Sequence, residues 1–321
     1  MNFSLIKKAT FKKSVVIFFA LVLSISLNKN IYSQVYIPKD IKKNLHFGIL
    51  RSGYILIDEN NGGDETEEKF CINYIKKRYG NDYQGRFYYF PEKKGEFYKY
   101  TKYNLGDNFY VASSNEIIKS KVIGYAISAP IEVLRFNTVL SGAGEISNEK
   151  YLSNDFYPVM ICSKNEIKTR ISYNQIDDAM MVAKLSKNVI DKANNVDIIN
   201  DDNLQYKYEK ENEPRTSTKI LKGNFLNSGK QEYVVSYHKV YSQLCISYSA
   251  IVSEDGYILE DVTKILNVGR HFICFGISDY NSDGLNEIIA EDGYYEGGGY
   301  VLFEFNGLYF DIIVEGFDDG L

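Results

Sequence analysis

The sequence predicts a mainly β protein with one substantial helix, an α+β arrangement that ends in short antiparallel strands. The 321 residues are 45% hydrophobic and 25% charged, as expected for a globular chain with a sizeable core. Trp is absent and Tyr occurs 28 times, which favours strands with one buried and one wet face, because tyrosine joins an apolar ring to a polar tip. In the C-terminal third, strand-like runs alternate with turn residues such as Asn306-Gly307, a dipeptide typical of tight hairpins.

The N-terminus, residues 1–33, is predicted to be a signal peptide. Basic residues precede an unbroken apolar or small run at positions 14–27, and Ser33 is a suitable cleavage position. The run is shorter than the ~20 residues that span a bilayer, so it fits a signal peptide better than the alternative, an uncleaved membrane anchor. We expect no membrane span after removal of the signal. The protein should therefore be exported: secreted, periplasmic or on the cell surface.

The charge balance of the chain excludes one class of partner. Residues 1–33 contain five Lys and no acid, so their removal changes the formal net charge from −5 to −10. An acidic product is a poor non-specific binder of nucleic acid, because the phosphate backbone repels it. The same charge suits divalent cations.

Four cysteines are present, and none is spaced as part of a zinc-binding pair. Export favours disulfides over metal thiolates. Cys245 and Cys274 lie on neighbouring strand-like runs, so this pair is the favoured disulfide. The alternative is four free, buried thiols.

Residues 36–200 are predicted to form an α+β domain of unknown type. Residues 66–78 are compatible with a short helix. Apolar, β-branched and aromatic residues cluster in strand-like runs, which are bounded by Gly, Asn, Asp or Ser. These runs are residues 44–60, 109–112, 122–127, 133–136 and 157–162.

The most distinct helix is predicted over residues 175–192, a stretch without Gly or Pro. Asn174 is the predicted N-cap, and Asp177 and Asp178 lie in the first turn, where the helix dipole favours acids. Spacing of three and four residues predicts the buried face, which is apolar except for one lysine. Its members are Ile176, Ala179, Met180, Ala183, Lys187 and Ile190.

A polar, charge-rich stretch follows the helix over residues 194–218, and residues 201–214 are predicted to be a linker or exposed loop. Residues 215–321 are predicted to form a second, strand-rich part. Its strand-like runs are residues 232–237, 244–252, 257–259, 272–277, 288–290, 300–305 and 308–314.

The segment 279–287 carries the clearest chemistry in the chain. Oxygen-bearing side chains stand at its first, third, fifth and ninth positions, and Gly284 at the sixth permits a sharp bend. Calcium requires six to eight hard oxygen ligands at short range, and the carbonyl of Leu285 can supply one of them. A metal-free turn is the alternative. The predicted side-chain ligands are Asp279, Asn281, Asp283 and Glu287.

This loop begins like an EF-hand loop but has Ala290 at the twelfth position, where an EF-hand has glutamate, and strand-like runs flank it. It resembles the Asp-x-Asn-x-Asp-Gly-x-x-Glu loop of FG-GAP and VCBS repeats, which occur in the integrin α-subunit propeller and in bacterial surface proteins. The resemblance covers residues 215–321. It implies blade-like antiparallel repeats of four strands, as in a β-propeller, and one structural Ca²⁺ site.

A second copy of the loop lies 55 residues upstream, at residues 224–232. Glu232 corresponds to Glu287, but Asn224, Leu226 and Ser228 replace the three earlier ligands, so we expect no metal there. Two such repeats cannot close a propeller, which takes four to eight blades. Either residues 36–200 hold diverged blades, or two blade-like units form an open sheet against another domain; we favour the second.

No catalytic constellation stands out in the sequence. None of the three histidines has a metal-ligand partner four residues away, and Ser147 stands where the dinucleotide-binding fingerprint begun at Gly142 requires glycine. The favoured hypothesis is an exported, calcium-stabilised β-rich module that binds a protein or a glycan. The alternatives are a secreted hydrolase with its site in residues 36–200, and a structural envelope protein.

Overall fold

A computed structural model of the chain describes residues 44–51, 53–58, 65–80, 87–90, 102–128, 135–146, 159–195, 215–240, 245–263, 270–294 and 297–316. All of them belong to one compact unit, residues 38–321. The predicted signal peptide (1–33) and linker (201–214) lie outside these residues, so both stay predictions. No helix within the described ranges combines the length and apolarity needed to cross a bilayer.

The fold is mainly β with a few helices, which confirms the predicted class. The described helices are α1 Glu65–Tyr79, α2 Ala143–Ile146 and α3 Ala179–Asn194. The strands before α3 are β1 Leu45–Arg51, β2 Tyr54–Asp58, β3 Phe87–Phe90, β4 Asn108–Ala112, β5 Ile117–Ser128, β6 Arg135–Leu140 and β7 Val159–Ser163. The strands after it are β8 Arg215–Gly223, β9 Glu232–Val240, β10 Cys245–Ser253, β11 Ile258–Asp261, β12 Arg270–Ser278, β13 Glu287–Tyr294, β14 Gly297–Phe305 and β15 Phe310–Gly316.

Six strands of the N-terminal half form a closed antiparallel barrel in the order β5-β4-β7-β1-β2-β6, with β6 pairing back to β5. Closure is possible because the 12-residue strand β5 pairs with β4 through its first half and with β6 through its second half. Strand β3 adds to the second half of β5. The sequence indicated most of these strands but not their closure into a barrel, which depends on pairings between residues far apart in the chain.

Alternate residues of the barrel strands belong to two apolar clusters, as expected when both faces of a sheet are buried. One cluster includes side chains of α1, namely Cys71 and Ile75. The other reaches the C-terminal part of the chain through the rings of Phe47 and Tyr300, whose centroids are 5.9 Å apart.

The C-terminal part contains two four-stranded antiparallel sheets, each of which follows the chain order from strand to strand. We call β8–β11 sheet 1 and β12–β15 sheet 2. Strand β8 begins at Arg215, inside the stretch predicted to be polar and irregular. Its first three residues are exposed and β8 is an edge strand, so this strand has no apolar alternation at its start.

The two sheets are layered between α3 and the barrel. One face of sheet 1 packs against α3, and the opposite face packs against sheet 2 through side chains such as Leu221, Val234 and Ile288. The other face of sheet 2, including Ile289 and Leu302, packs with the barrel strands. Each apolar sheet face is therefore covered, although the two sheets do not close a ring.

Helix α3 begins later than predicted and buries a different face. Asp178, not Asn174, is the N-cap, and its carboxylate accepts the backbone N–H of Met181 at 2.8 Å. Met180, predicted to be in the core, is 84% exposed. The residues that the helix buries are Leu185, Ser186, Val189 and Ala193.

The favoured disulfide is wrong. Cys162 and Cys274 are free, buried thiols, and the side chain of Cys245 lies outside the described residues. Cys274 N–H donates to the hydroxyl of Ser236, which pairs across the sheet with Ser249 on β10. Ser249 is four residues beyond Cys245, or ~13 Å along a strand, which is too far for a disulfide.

Candidate cation-binding loop

The segment 279–287, here called the cation loop, joins β12 to β13 at the end of sheet 2. Strands flank it on both sides. The loop turns sharply because two residues adopt positive φ, Ser282 at 61° and Gly284 at 89°. Glycine takes this conformation at no steric cost, so the predicted reason for a glycine at the sixth position is confirmed.

Backbone N–H groups of the loop are held by the side chains of the predicted ligands. Gly284 N–H donates to Asp279 Oδ2 at 3.2 Å, and Leu285 N–H donates to Asp283 Oδ1 at 2.7 Å. Asp283 N–H donates to Asn281 Oδ1 at 3.0 Å. Each of these bonds uses one oxygen and leaves the second atom of the carboxylate or amide group for another partner.

The remaining side-chain atoms of Asn281 and Asp283 lie close to each other and to Glu287. The amide nitrogen of Asn281 donates to Asp283 Oδ2 at 3.1 Å and to Glu287 Oε1 at 3.2 Å, which brings the two carboxylates onto one point. Glu287 is only 1% exposed. Rotation of the amide by half a turn would present its oxygen to the same point. The structure thus brings together three of the predicted side-chain ligands, Asn281, Asp283 and Glu287.

The fourth predicted side-chain ligand, Asp279, has an unsatisfied atom. Its Oδ1 is buried and has no hydrogen-bond partner among the described residues. A buried carboxylate oxygen without a partner is costly. Burial, followed by the charge of Asp283, raises the pKa of Asp279 above its usual value. A proton, an ordered water or a cation would satisfy this oxygen.

Glu287 is in a similar electrostatic position. Burial raises its pKa well above the usual range, and the charges of Asp283 and Glu304 add to the rise. The Tyr280 N–H, which donates to Glu287 Oε2 at 3.1 Å, opposes it.

The donor set fits a hard cation such as Ca²⁺, which prefers carboxylate, amide and carbonyl oxygens. The described residues contain no group of three or more His, Cys, Asp and Glu side chains arranged to hold a metal ion as the chain stands. In this loop the Asn281 amide, rather than a third carboxylate, lies between Asp283 and Glu287. The carbonyl of Leu285 as a ligand stays a prediction.

The upstream copy, residues 224–232, is here called the twin loop, and it joins β8 to β9. It has positive φ at Asn227 (55°) and Gly229 (72°), the positions that correspond to those in the cation loop. The bend therefore survives in the twin loop although three of its ligand-type residues are replaced.

The twin loop satisfies its buried glutamate without a cation. Glu232 is fully buried, and its two carboxylate oxygens accept three backbone N–H groups. Phe225 and Leu226 donate to Oε2 at 2.6 and 2.8 Å, and Ser228 donates to Oε1 at 3.0 Å. Charge-assisted bonds of this kind stabilise a buried carboxylate.

The cation loop has a bend of the same shape, but fewer of its backbone N–H groups donate to the buried glutamate. Tyr280 N–H reaches Glu287, as Phe225 N–H reaches Glu232 in the twin loop. Asp283 N–H, however, donates to the Asn281 side chain, whereas the corresponding N–H in the twin loop donates to the glutamate. The asparagine thus diverts a backbone donor and leaves Glu287 Oε1 facing side-chain groups.

The two loops are bonded to each other. Asn286 N–H donates to the Asn224 carbonyl at 2.6 Å, and Asn224 N–H donates to Asn286 Oδ1 at 2.8 Å. The Asn224 amide also donates to the Gly284 carbonyl at 2.5 Å. Asn286 therefore joins sheet 2 to sheet 1.

The segment between β7 and α3 also contacts the cation loop, because the Thr169 hydroxyl donates to the Asp279 carbonyl at 2.5 Å. The segment lies between the three sheets and forms backbone bonds with each. These bonds are Ile171 to Ser113 beside the barrel strand β4, Ser172 to Ile277 on β12, and Ile176 to Ile220 on β8. The sequence gave no indication of this role, since it depends on tertiary contacts over about a hundred residues.

Comparison of the chain with protein-family models, with curated proteins and with solved structures returns no match.

Proposed function

We propose that this chain is an exported, calcium-stabilised interaction module in which one Ca²⁺ in the cation loop holds the C-terminal sheets together. The observation that carries the proposal is the contrast between the loops. The same bend gives Glu232 three backbone donors, whereas Glu287 in the cation loop accepts one backbone N–H and one side-chain amide, and Asp279 Oδ1 has no partner among the described residues. Three carboxylates and an amide in that condition suit a hard divalent cation.

The location of the loop suggests what the cation does. The loop contacts the twin loop of sheet 1 through Asn224. It also contacts the segment between β7 and α3, residues 164–178, here called the connecting segment, through Thr169. Ordering the loop would therefore order three parts of the fold at once. The shared bend of the two loops and their equal places in two four-stranded sheets support the FG-GAP-type resemblance, which belongs to the same proposal.

A partner surface is proposed at the end of the sheets where the cation loop lies. In a sheet that follows chain order, alternate hairpins lie at the same end, so the β10–β11 and β14–β15 turns join the two bonded loops there. Large apolar side chains are exposed on these turns: Tyr257 at 67%, Leu308 at 77% and Tyr309 at 52%. Exposed aromatic residues suit binding of a protein or a glycan.

The experiment is calorimetric unfolding of the purified protein with excess calcium and with chelator. At a free calcium concentration 100-fold above Kd, binding stabilises the folded state by about 2.7 kcal/mol, roughly 5–10 °C in Tm for a domain of this size. Asp283→Ala should remove this gain. Its matched control is Ser228→Ala at the corresponding position of the twin loop, which should retain it.

In chelator, Asp283→Ala loses hydrogen bonds from Leu285 and Asn281 as well as a charge that opposes the buried Glu287, so the readout is the gain in Tm on adding calcium and not the Tm itself. An equal wild-type Tm in calcium and in chelator would refute the proposal. A calcium-induced gain of the same size in Asp283→Ala would place the cation elsewhere.

A further inference from the structure

The side chain of Asn306, in the exposed turn between β14 and β15, is held by three hydrogen bonds. Its Oδ1 accepts the backbone N–H groups of Leu308 at 3.0 Å and of Tyr309 at 3.1 Å. Its Nδ2 donates to Asp311 Oδ2 at 2.7 Å. An N–H can donate only to the amide oxygen, and a carboxylate can accept only from the amide nitrogen. These partners therefore fix both the position and the orientation of the amide group.

The residue that follows, Gly307, leaves one side of this amide open. Its φ is 94°, and no atom of the described residues lies within 4 Å of the position that a Cβ would take. The backbone nitrogen that follows an asparagine can attack the side-chain Cγ and close a five-membered ring, because both atoms are already held in one small segment. A side chain on the attacking residue obstructs this step, and glycine has none.

The hydrogen bonds of the Asn306 amide match what this attack requires. Attack at Cγ places negative charge on Oδ1, at which the N–H groups of Leu308 and Tyr309 already point. Two backbone donors directed at the oxygen of a reacting carbonyl form an oxyanion hole. The Asp311 carboxylate contacts Nδ2, the nitrogen that must leave. It can therefore carry to Nδ2 the proton that the Gly307 nitrogen gives up.

We propose that Asn306-Gly307 is a site of self-modification and that the folded turn accelerates the reaction. In the first step the Gly307 nitrogen loses its proton and forms a bond to Asn306 Cγ. The bond from Cγ to Nδ2 breaks, and the nitrogen leaves with that proton as ammonia. In the second step one water opens the cyclic imide. Cleavage at Cγ gives aspartate, and cleavage at the backbone carbonyl gives isoaspartate, in which the chain continues through the side chain.

Either product changes the turn. The donor at Nδ2 becomes a carboxylate oxygen, so Asp311 loses this hydrogen bond and faces a like charge. Isoaspartate also adds a carbon atom to the backbone of a turn that the bond from Asn306 N–H to the Tyr309 carbonyl closes. Leu308 and Tyr309 are exposed in the same turn, so the reaction alters the proposed partner surface. The chemistry itself does not depend on the cation loop.

Asn281 in the cation loop provides a comparison within the fold. Its Oδ1 accepts one backbone N–H, that of Asp283, and its Nδ2 donates to the carboxylates of Asp283 and Glu287. The residue that follows it is Ser282, whose side chain obstructs the attacking nitrogen. We therefore expect Asn281 to stay intact while Asn306 reacts.

The test is incubation of the purified protein at neutral pH, followed by digestion and mass spectrometry of the peptides that contain Asn306 and Asn281. Isoaspartate is measured in the same digests by enzymatic methylation. Asn306 should react about five-fold faster in the folded protein than in the chain unfolded by denaturant, which is the gain expected from one hydrogen bond of ordinary net strength. Asn61-Gly62, the other Asn-Gly pair of the chain, gives the ordinary rate in denaturant.

Two variants assign the reaction to this turn. Asp311→Asn keeps the size of the side chain but removes the carboxylate at Nδ2, so Asn306 should react more slowly in the folded protein. Asn306→Gln should give no product at position 306 over the same period, because its ring closure is slower. The Tm of each variant shows that it is folded, and Asp311→Ser replaces Asp311→Asn if that variant does not fold.

Three results would count against the inference. A folded rate at Asn306 equal to or below the rate in denaturant overturns it, because the turn then protects the amide. Equal rates at Asn306 and Asn281 in the folded protein also overturn it, since neither Gly307 nor the two donors then select the site. A wild-type rate in folded Asp311→Asn overturns the part assigned to Asp311.

Discussion

Acidification should destabilise the contact between the two C-terminal sheets through one pair of histidines. His238 on β9 and His271 on β12 have ring centroids 4.8 Å apart. Burial lowers the pKa of His238 to about 4, and the charges of His271 and Lys219 add to this. Burial also lowers the pKa of His271, whereas Asp292 opposes it, and His271 Nε2 lies 3.9 Å from Glu291.

The direction of the pH effect depends on whether the folded or the unfolded chain binds a proton at the higher pH. The unfolded chain takes up a proton near the ordinary pKa of 6.5, whereas folded His238 does so only near about 4. The contribution of neutral His238 to the free energy of unfolding is therefore fully present above pH 6.5 and is lost as the pH falls towards 4. Between pH 7 and 5 a fully buried group with this shift would lose about 2 kcal/mol. His238 is only partly buried, so screening reduces the loss to about 1 kcal/mol, or roughly 2–4 °C in Tm.

The assay compares Tm against pH for wild type and His238→Gln in chelator. The variant should lose less Tm than the wild type between pH 7 and 5, and the difference between the two curves isolates the pair from the carboxylates of the cation loop. His46→Gln is the control, because His46 lies in the barrel, away from the pair, and hydrogen-bonds Tyr103. Parallel curves for wild type and His238→Gln would refute the reasoning.

Two further predictions concern the loops. Replacing Asn224, Leu226 and Ser228 by Asp, Asn and Asp should convert the twin loop into a second cation site, seen as a rise from one to two bound Ca²⁺ in a titration; an unchanged count would contradict the view that these loop positions are sufficient to bind the cation. Leu308→Ser with Tyr309→Ser, at the exposed turn, should abolish signals on a glycan or envelope-protein array while leaving Tm unchanged; array binding equal to wild type would exclude this turn as the partner surface.

The local features of this fold were predictable from sequence because their causes are local. The bend at Gly284 follows from a backbone conformation that glycine adopts freely, and the hairpin at Asn306-Gly307 follows from turn chemistry. Strand β8 was not predicted over its first residues, because an exposed edge strand has no apolar alternation.

Features set by tertiary contacts could not be predicted in this way. The start of α3 depended on which of several polar residues caps it, and Asp178 does so. Its buried face depended on the orientation of the helix over sheet 1, and Met180 points away from that sheet. Glu304 belongs to the neighbourhood of the loop only through the β13–β14 register, and no motif spacing within the loop indicates it.

The layered arrangement explains why a single loop would affect so much of the molecule. Two sheets that do not close a ring need covers on their outer faces, and α3 and the barrel provide them. At one end of the sheets Asn224 and Asn286 bond one sheet to the other directly. Uncompensated negative charge in the cation loop would weaken these hydrogen bonds between Asn224 and Asn286. Compensating it with a cation would stabilise the junction of both sheets and the connecting segment, which is more than the turn alone.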